Sequence, residues 1–356
     1  MFIYFLLLGI FLFLFFNESK HSQYYKEYNS ISIVFFIILT LIMGLRDFSV
    51  GVDTELYYRI YTQVGNDVNP FYKISPIYYI LIKFLNFLNF DYRNFLFIIA
   101  IIINVGLMFF IYRLKLNLPL ALFSYIGLTY FYFSMNGSRQ IVALVIAANA
   151  LIYLFENLSS YKGWFLIITA FLTHITSCIF LIAIIGAILS KNVKNKKHIF
   201  VIVATFTIII DKVYYKLLYS FIEYLPSHYM QYLDGNNNIQ LFENFGNGRL
   251  LILYLFLFSV VLLYIKSINR NDDFLYKSYP SIIFCAILGI LNAKNILINR
   301  LLFYLIFLYI PYINYIVKEY YTKKSLVVYY LLLSLCIYSV ASILLNHNGV
   351  VPYKFF

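Results

Sequence analysis

Long runs without a single charged residue recur from one end of this chain to the other, and they constrain its fold more than any other feature. MFIYFLLLGIFLFLFF opens the sequence, ISIVFFIILTLI follows at 31–42, and LVVYYLLLSLCIYSVASILL occupies 326–345. Such runs approach the roughly 20 residues that a helix needs to cross a hydrocarbon core of about 30 Å. Lipid offers a backbone no hydrogen-bond partners, and the runs show neither period-2 alternation nor a polar lumen face, so helices are expected rather than barrel strands. Of 356 residues, 63% are hydrophobic and 12% charged, and only short polar stretches separate the runs, which leaves no room for a soluble domain. The expected fold is an all-α polytopic membrane protein, one domain over 1–356, with about 10–12 transmembrane helices.

The first run lacks a basic leader and a small-residue cleavage site, which fits a retained helix. Cys178, Cys285 and Cys336 lie inside apolar runs, forming neither a disulfide framework nor a metal site. No basic block exceeds KNVKNKK, so the net charge of +12 is read as topological rather than as a nucleic-acid footprint. Run length and breakers place spans at 2–16, 31–45, 94–112, 118–134, 140–155, 199–210, 250–265, 278–292, 300–317 and 326–345. The run 164–190 is long and interrupted by THITS, which suggests a kinked helix or a re-entrant pair. SPIYYILIKFLNFLNF, 75–90, has Lys83, Asn86 and Asn89 at helical spacing, as in a helix lying on the membrane surface.

Of the 27 Lys and Arg, 15 fall in the short connectors 17–30, 113–117, 156–163, 190–198, 266–277 and 318–325. That dense face is expected to be cytoplasmic. Both termini are then outside, residues 164–190 enter and leave on one side, and the outer loops are 46–93 and 211–248.

Under this topology the unusual polar residues face outward together. Arg46 and Asp53 follow the second span in MGLRDFSVGVDTELYY, where Arg46 either snorkels to headgroups or lines a site, and Asp53 either caps the helix beginning TELYYRIY or serves chemistry. Arg139, after the chain-breaking NGS, falls in the first turn of the next helix, where the macrodipole disfavours a cation. A phosphate gripped by an Arg fork at a helix N-terminus would relieve it; an outward snorkelling Arg is the plainer alternative. His174 sits within an apolar stretch among Thr173, Thr176 and Ser177, either as a structural hydrogen-bonder or as a proton-transfer group. Arg300 opens a span with Tyr304 one turn along, and Arg249 and Lys294 add to the outward cations. Tyr229 and Tyr232, in the long outer loop, have faces suited to stacking on sugar rings. No Walker loop, zinc motif, nucleophile elbow or Rossmann fingerprint occurs, so metal-independent chemistry without a cofactor is expected.

These elements, in this order, resemble the EpsG-type, Wzy-like bacterial polysaccharide polymerases. GLRDFSVGVDTELYYRIY resembles the family's Gly-hydrophobic-Arg element followed by Gly-x-Asp and, four residues after the Asp, a Tyr. SPIYYILIKFLN, NGSRQIVALVIA, LTHITSCIFL, HYMQYLDGN and NRLLFYLIFLYIP match its later segments. Two positions depart from the pattern: Ser75 stands where Glu is often found, and Thr176 where Ser usually follows the His. The resemblance implies a glycosyltransferase of GT-C-like architecture in the bacterial inner membrane, with its active site facing the periplasm or exterior. It would polymerise undecaprenyl-diphosphate-linked oligosaccharide repeat units into O-antigen or capsule, amid membrane lipid and with a chain-length regulator protein as an expected partner. In that scheme Arg139, Gln140, Arg300 and Tyr304 serve the diphosphate. Arg46 is a third cation or the group orienting Asp53, and His174 is the first choice of base with Asp53 second. Two rivals stand beside it. A lipid-linked oligosaccharide flippase calls for a polar path and pseudo-repeats, and no internal repeat is present. An O-antigen ligase shares the donor and differs in the acceptor.

Overall fold

The computed structural model describes residues 1–18, 28–68, 74–193, 195–221, 247–266, 273–293, 295–321, 323–346 and 348–355. Among these the regular structure is helical: α1 (Phe2–Glu18), α2 (Tyr28–Gly44), α3 (Thr54–Gly65), α4 (Pro76–Phe87), α5 (Tyr92–Arg113), α6 (Leu118–Gly127), α7 (Tyr130–Ser134), α8 (Ser138–Glu156), α9 (Tyr161–Thr173), a 3₁₀ turn (Ile175–Ile179), α10 (Phe180–Asn192), α11 (Lys196–Phe221), α12 (Asn247–Lys266), α13 (Asp273–Leu291), α14 (Ile296–Ile306), α15 (Tyr309–Tyr321) and α16 (Leu326–Leu344). Short polar residues start several of them. Asp91, Asn117 and Asn295 each accept an amide from the first turn of α5, α6 and α14, at 2.9, 3.0 and 3.1 Å. Pro76 and Pro119 stand in the first turns of α4 and α6, where a missing N–H costs nothing.

Among the described residues five helices are long and apolar enough to cross a membrane, namely α5, α8, Ile175–Asn192, α13 and α16. A sixth span arises if α14 and α15, bent by 45°, count as one. Phe13, Phe165, Ile185 and Leu333 point outward and exposed, an arrangement suited to lipid and costly in water. The chain is a multi-pass membrane protein.

Two expected spans, 118–134 and 300–317, are interrupted, and the run 164–190 breaks within THITS as its sequence suggested. The run 118–134 breaks at Thr129, whose φ of +69° ends α6 and lets α7 start in a new direction. The run 164–190 breaks at His174, which caps α9 in an extended conformation. The run 300–317 is also two helices, and α14 starts at Ile296, which moves Arg300 from the first residue of a helix to its second turn. Residues 211–221, expected to open the long outer loop, instead continue α11; residues 222–246 lie outside the described residues.

The helices form two compact units, Met1–Cys178 with Leu326–Phe356, and Ile179–Ser325. In the first, α8 packs on α5, α7 and α9, α2 on α5, α4 on both α3 and α9, and α1 on α6 and α16. Small residues allow the close approaches. A Cβ on Gly106 would stand 2.8 Å from Val145, and the Asn149 amide beside it donates to the Gly106 carbonyl at 2.8 Å. In the second unit α13 is the hub, touching α10, α11, α12, α14 and α15. Tyr309 donates from α15 to the Ile282 carbonyl at 2.6 Å, and a Cβ on Gly186 would meet Pro280 at 2.9 Å.

Gly289 of α13 lies directly under the Tyr254 ring, which a Cβ would approach to 2.1 Å. Gly289→Val is therefore expected to push Tyr254 off α13 and to destabilise the detergent-solubilised protein by about 1–3 kcal/mol. A fluorescence-detected thermal melt reads this directly, and an unchanged midpoint would contradict the packing.

Candidate functional site

The site is built where the loop after α2 meets the loop before α8. Gly51 adopts φ +97°, a region that favours glycine, and a Cβ there would lie 2.3 Å from the Met135 carbonyl oxygen. That close approach lets the Asp53 amide donate to Asn136 Oδ1 at 2.8 Å across 83 residues of chain. Thr54 Oγ1 donates to the Val50 carbonyl at 2.7 Å, and Tyr92 donates to the Thr54 carbonyl at 2.9 Å, so the start of α3 is fixed from three sides. Asp53 stands at the N-cap of α3, but its side chain makes no capping hydrogen bond; it is half-buried at the rim of the cluster.

Arg139 is the second residue of α8, the first turn that the chain-breaking NGS had predicted. Its guanidinium lies over two aromatic faces, with Cζ 5.3 Å from the Tyr57 ring centre and 5.8 Å from that of Tyr78. Each such contact contributes on the order of 0.5–2 kcal/mol as it becomes desolvated, enough to offset the repulsion of the helix N-terminus. The phenols also hold the backbone of the cluster together: Tyr78 and Ser138 share a hydroxyl hydrogen bond of 3.2 Å, and Tyr57 bonds to both Arg139 and Ser138. Burial pushes the Tyr57 phenol above its ordinary value; Arg139 pulls it down and the Asp53 carboxylate pushes it up, so the charges of Asp53 and Arg139 both reach this hydroxyl. Gln140 follows in the same turn, half-buried, its amide donating to the Gly137 carbonyl at 3.0 Å.

His174 is tied to the same cluster through α4. Ser75, the residue before α4, donates its hydroxyl to the Thr173 carbonyl immediately before the histidine. One helix thus carries Tyr78 to Arg139 and Ser75 to the break that exposes His174. The imidazole is half-buried, with Nδ1 hydrogen-bonded to Thr176 Oγ1, the hydroxyl two residues on. A ring held through Nδ1 has a defined orientation, which proton acceptance at Nε2 requires.

Arg46 belongs to the same unit but is buried. It is 1% exposed, donates from Nη1 to the Met43 carbonyl, and pairs through its backbone with Phe355. The other unit carries Arg300, exposed on α14, and Tyr304, which is fully buried against Phe180 at 5.9 Å. Beside Arg300 a polar network joins four helices: Tyr254 donates to Asn299 Oδ1 at 2.8 Å, Asn299 donates to the Ala293 carbonyl at 3.0 Å, and the Asn292 amide donates to Asp211. Lys294, Tyr229 and Tyr232 lie outside the described residues, as does the side chain of Arg249.

Sequence reasoning gave no role to Tyr57, Tyr78, Ser138 or Asn136, although Tyr57 and Asn136 fall within the motif segments. Two signals for them were present: Tyr57 lies four residues after Asp53 on one helix face, and Tyr78 three after Ser75. If the two loops depend on each other as described, Asn136→Ala should lower stability by about 1–2 kcal/mol, through loss of the acceptor for a part-buried amide. Gly51→Ala should cost more, since it combines strain with the Met135 collision. Thermal melts of the two variants give the order, and equal or negligible shifts would show that the loops are not interlocked.

Comparison with curated proteins and with solved structures finds no match. A family model described as the EpsG family matches residues 29–355, which contain every helix except α1 and the first residue of α2. The chain therefore belongs to the EpsG family, as a membrane protein related to polysaccharide biosynthesis.

Proposed function

We propose that this protein is a glycosyltransferase acting at the outer leaflet of the inner membrane, which extends a polysaccharide by transferring a growing glycan from its undecaprenyl diphosphate carrier to the next lipid-linked repeat unit. In the transfer an acceptor hydroxyl oxygen bonds to the anomeric carbon, the bond from that carbon to the diphosphate oxygen breaks, and the hydroxyl proton passes to a base. The leaving diphosphate gathers negative charge, and a preorganised cation beside it lowers the barrier.

The observation that carries this reading is Arg139, placed in the first turn of α8 and packed on Tyr57 and Tyr78. The two rings fix the plane of the guanidinium without neutralising it, as a charged lipid diphosphate requires. Gln140 serves as a neighbouring donor. His174 is assigned as the base, oriented by Thr176, and Asp53 is the alternative at the rim of the same cluster. Arg300 is assigned to the same reaction on its motif. Inner-membrane location, outward orientation and assistance from a chain-length regulator belong to this proposal.

Purified protein in proteoliposomes with a lipid-linked repeat unit tests it. Arg139→Ala is expected to slow chain growth about 10²–10³-fold, with Arg139→Lys in between because a point charge remains and the fork is lost. His174→Gln should fall by about 10²-fold or more while Asp53→Asn keeps measurable rate. Undiminished polymer from Arg139→Ala would overturn the assignment. Full rate in His174→Gln with loss in Asp53→Asn would exchange the two base roles.

A further inference from the structure

Arg46 is 1% exposed, yet only Nη1 has a hydrogen-bond acceptor, the Met43 carbonyl; Nε and Nη2 have none among the described residues. The side chains whose charge state most affects it are the phenols of Tyr4, Tyr78, Tyr92 and Tyr353, which are neutral and supply no countercharge. Their hydroxyls are engaged elsewhere: Tyr4 on the Val350 carbonyl at 2.9 Å, Tyr92 on Thr54, Tyr353 on the Ile42 carbonyl at 2.6 Å, and Tyr78 with Ser138. A buried guanidinium with two unsatisfied nitrogens is costly, and an anion with fork-matching oxygens is the group that offsets the cost.

Next to Arg46 runs the C-terminal segment, residues 349–355. It has no helix of its own and lies on the loop that carries Arg46. The Asp47 amide donates to the Lys354 carbonyl at 2.9 Å and the Gly51 amide to the Gly349 carbonyl at 2.9 Å; Phe355 bridges Arg46, and Tyr4 and Tyr353 each add one phenol bond. Val350 faces inward and is buried, while Pro352, Lys354 and Phe355 are exposed on the outer side. The segment is anchored to the same loop that starts α3 and the Asp53–Asn136 contact.

We propose that residues 349–355 form a strap over a phosphate-class anion site centred on Arg46, and that the anion enters when the strap lifts. The lipid-diphosphate reading above supplies one natural source of that anion, and the inference rests on it to that extent; an anionic phospholipid headgroup is the other source of the same chemistry. Lifting the strap frees the Asp47 and Gly51 amides, so their hydrogen exchange reports the opening.

The test uses the full chain in nanodiscs, first of zwitterionic lipid, with farnesyl diphosphate as probe, and follows exchange in peptides spanning 43–53 and 346–356. The expected result is at least tenfold faster exchange with probe in the wild type and no response in Arg46→Gln. A second arm uses phosphatidylglycerol nanodiscs without probe; the same acceleration there, again lost in Arg46→Gln, assigns the headgroup as the source. Tyr353→Phe removes one anchor. It should raise basal exchange and probe affinity together, by about fivefold each, because apparent affinity is scaled by the open fraction. A strap that is only structural would exchange faster in Tyr353→Phe without any gain in affinity. That result, or exchange indifferent to both phosphate sources, overturns the proposal. The outcome is separable from the polymerase reading. Chain growth lost in Arg139→Ala with a strap that never responds leaves that reading intact, and a responsive strap in a protein that makes no polymer leaves the anion site intact.

Discussion

A cation in the first turn of a helix is repelled by the helix itself, and the candidate site follows from how this protein offsets that repulsion at Arg139. The two rings that do so come from separate short helices, Tyr57 from α3 and Tyr78 from α4. Both helices must then be held against the start of α8. Asn136 does this for α3 through the Asp53 amide, Ser138 does it for α4 through Tyr78, and Gly51 makes room for the approach. Ser75, the cap of the same first turn of α4, fixes the break at His174 by the same economy of one hydroxyl and one carbonyl. Cation, carboxylate and imidazole are thereby supported by one set of contacts rather than by three independent ones.

The interior of the bilayer shapes the rest. Helices that face lipid on one side gain little from hydrophobic burial against one another, so close packing and polar bridges become decisive. In the first unit Asn149 spans to Gly106, Asn104 donates to Thr40 at 3.0 Å, and Tyr132 meets Ser339 at 2.9 Å. In the second, Tyr254 rests on Gly289 and reaches Asn299, which connects the packing of α13 to the polar network beside Arg300.

Much of this was legible in the sequence where a chemical signal coincided with a boundary. α5 and α8 were placed within two residues of their ends because Asp91 caps one and the NGS breaker precedes the other. The first-turn position of Arg139 was readable for the same reason. The turn at Thr129 was not, since a threonine in the left-handed region carries no local signature and is imposed by its surroundings. The start of α14 was missed because Asn295 and the residues after it read as a loop extending to Arg300, when Asn295 is in fact the cap. Tyr57 and Tyr78 were hidden among 37 tyrosines, and only the third dimension separates the two that face a guanidinium. Arg46 is the sharpest case. A helix that ends in Arg reads as one reaching water, whereas Arg46 is buried and pairs with a segment some 300 residues downstream, and no periodicity connects the two.

The central claim is that a lipid diphosphate is held at Arg139. A cryo-electron microscopy map of the protein in nanodiscs with a polyprenyl-diphosphate oligosaccharide tests it most directly. The account predicts diphosphate density within about 3 Å of the Arg139 guanidinium, with Tyr57 and Tyr78 still packed on its faces. No diphosphate density against Arg139, with its guanidinium still enclosed by its two tyrosines, would contradict it.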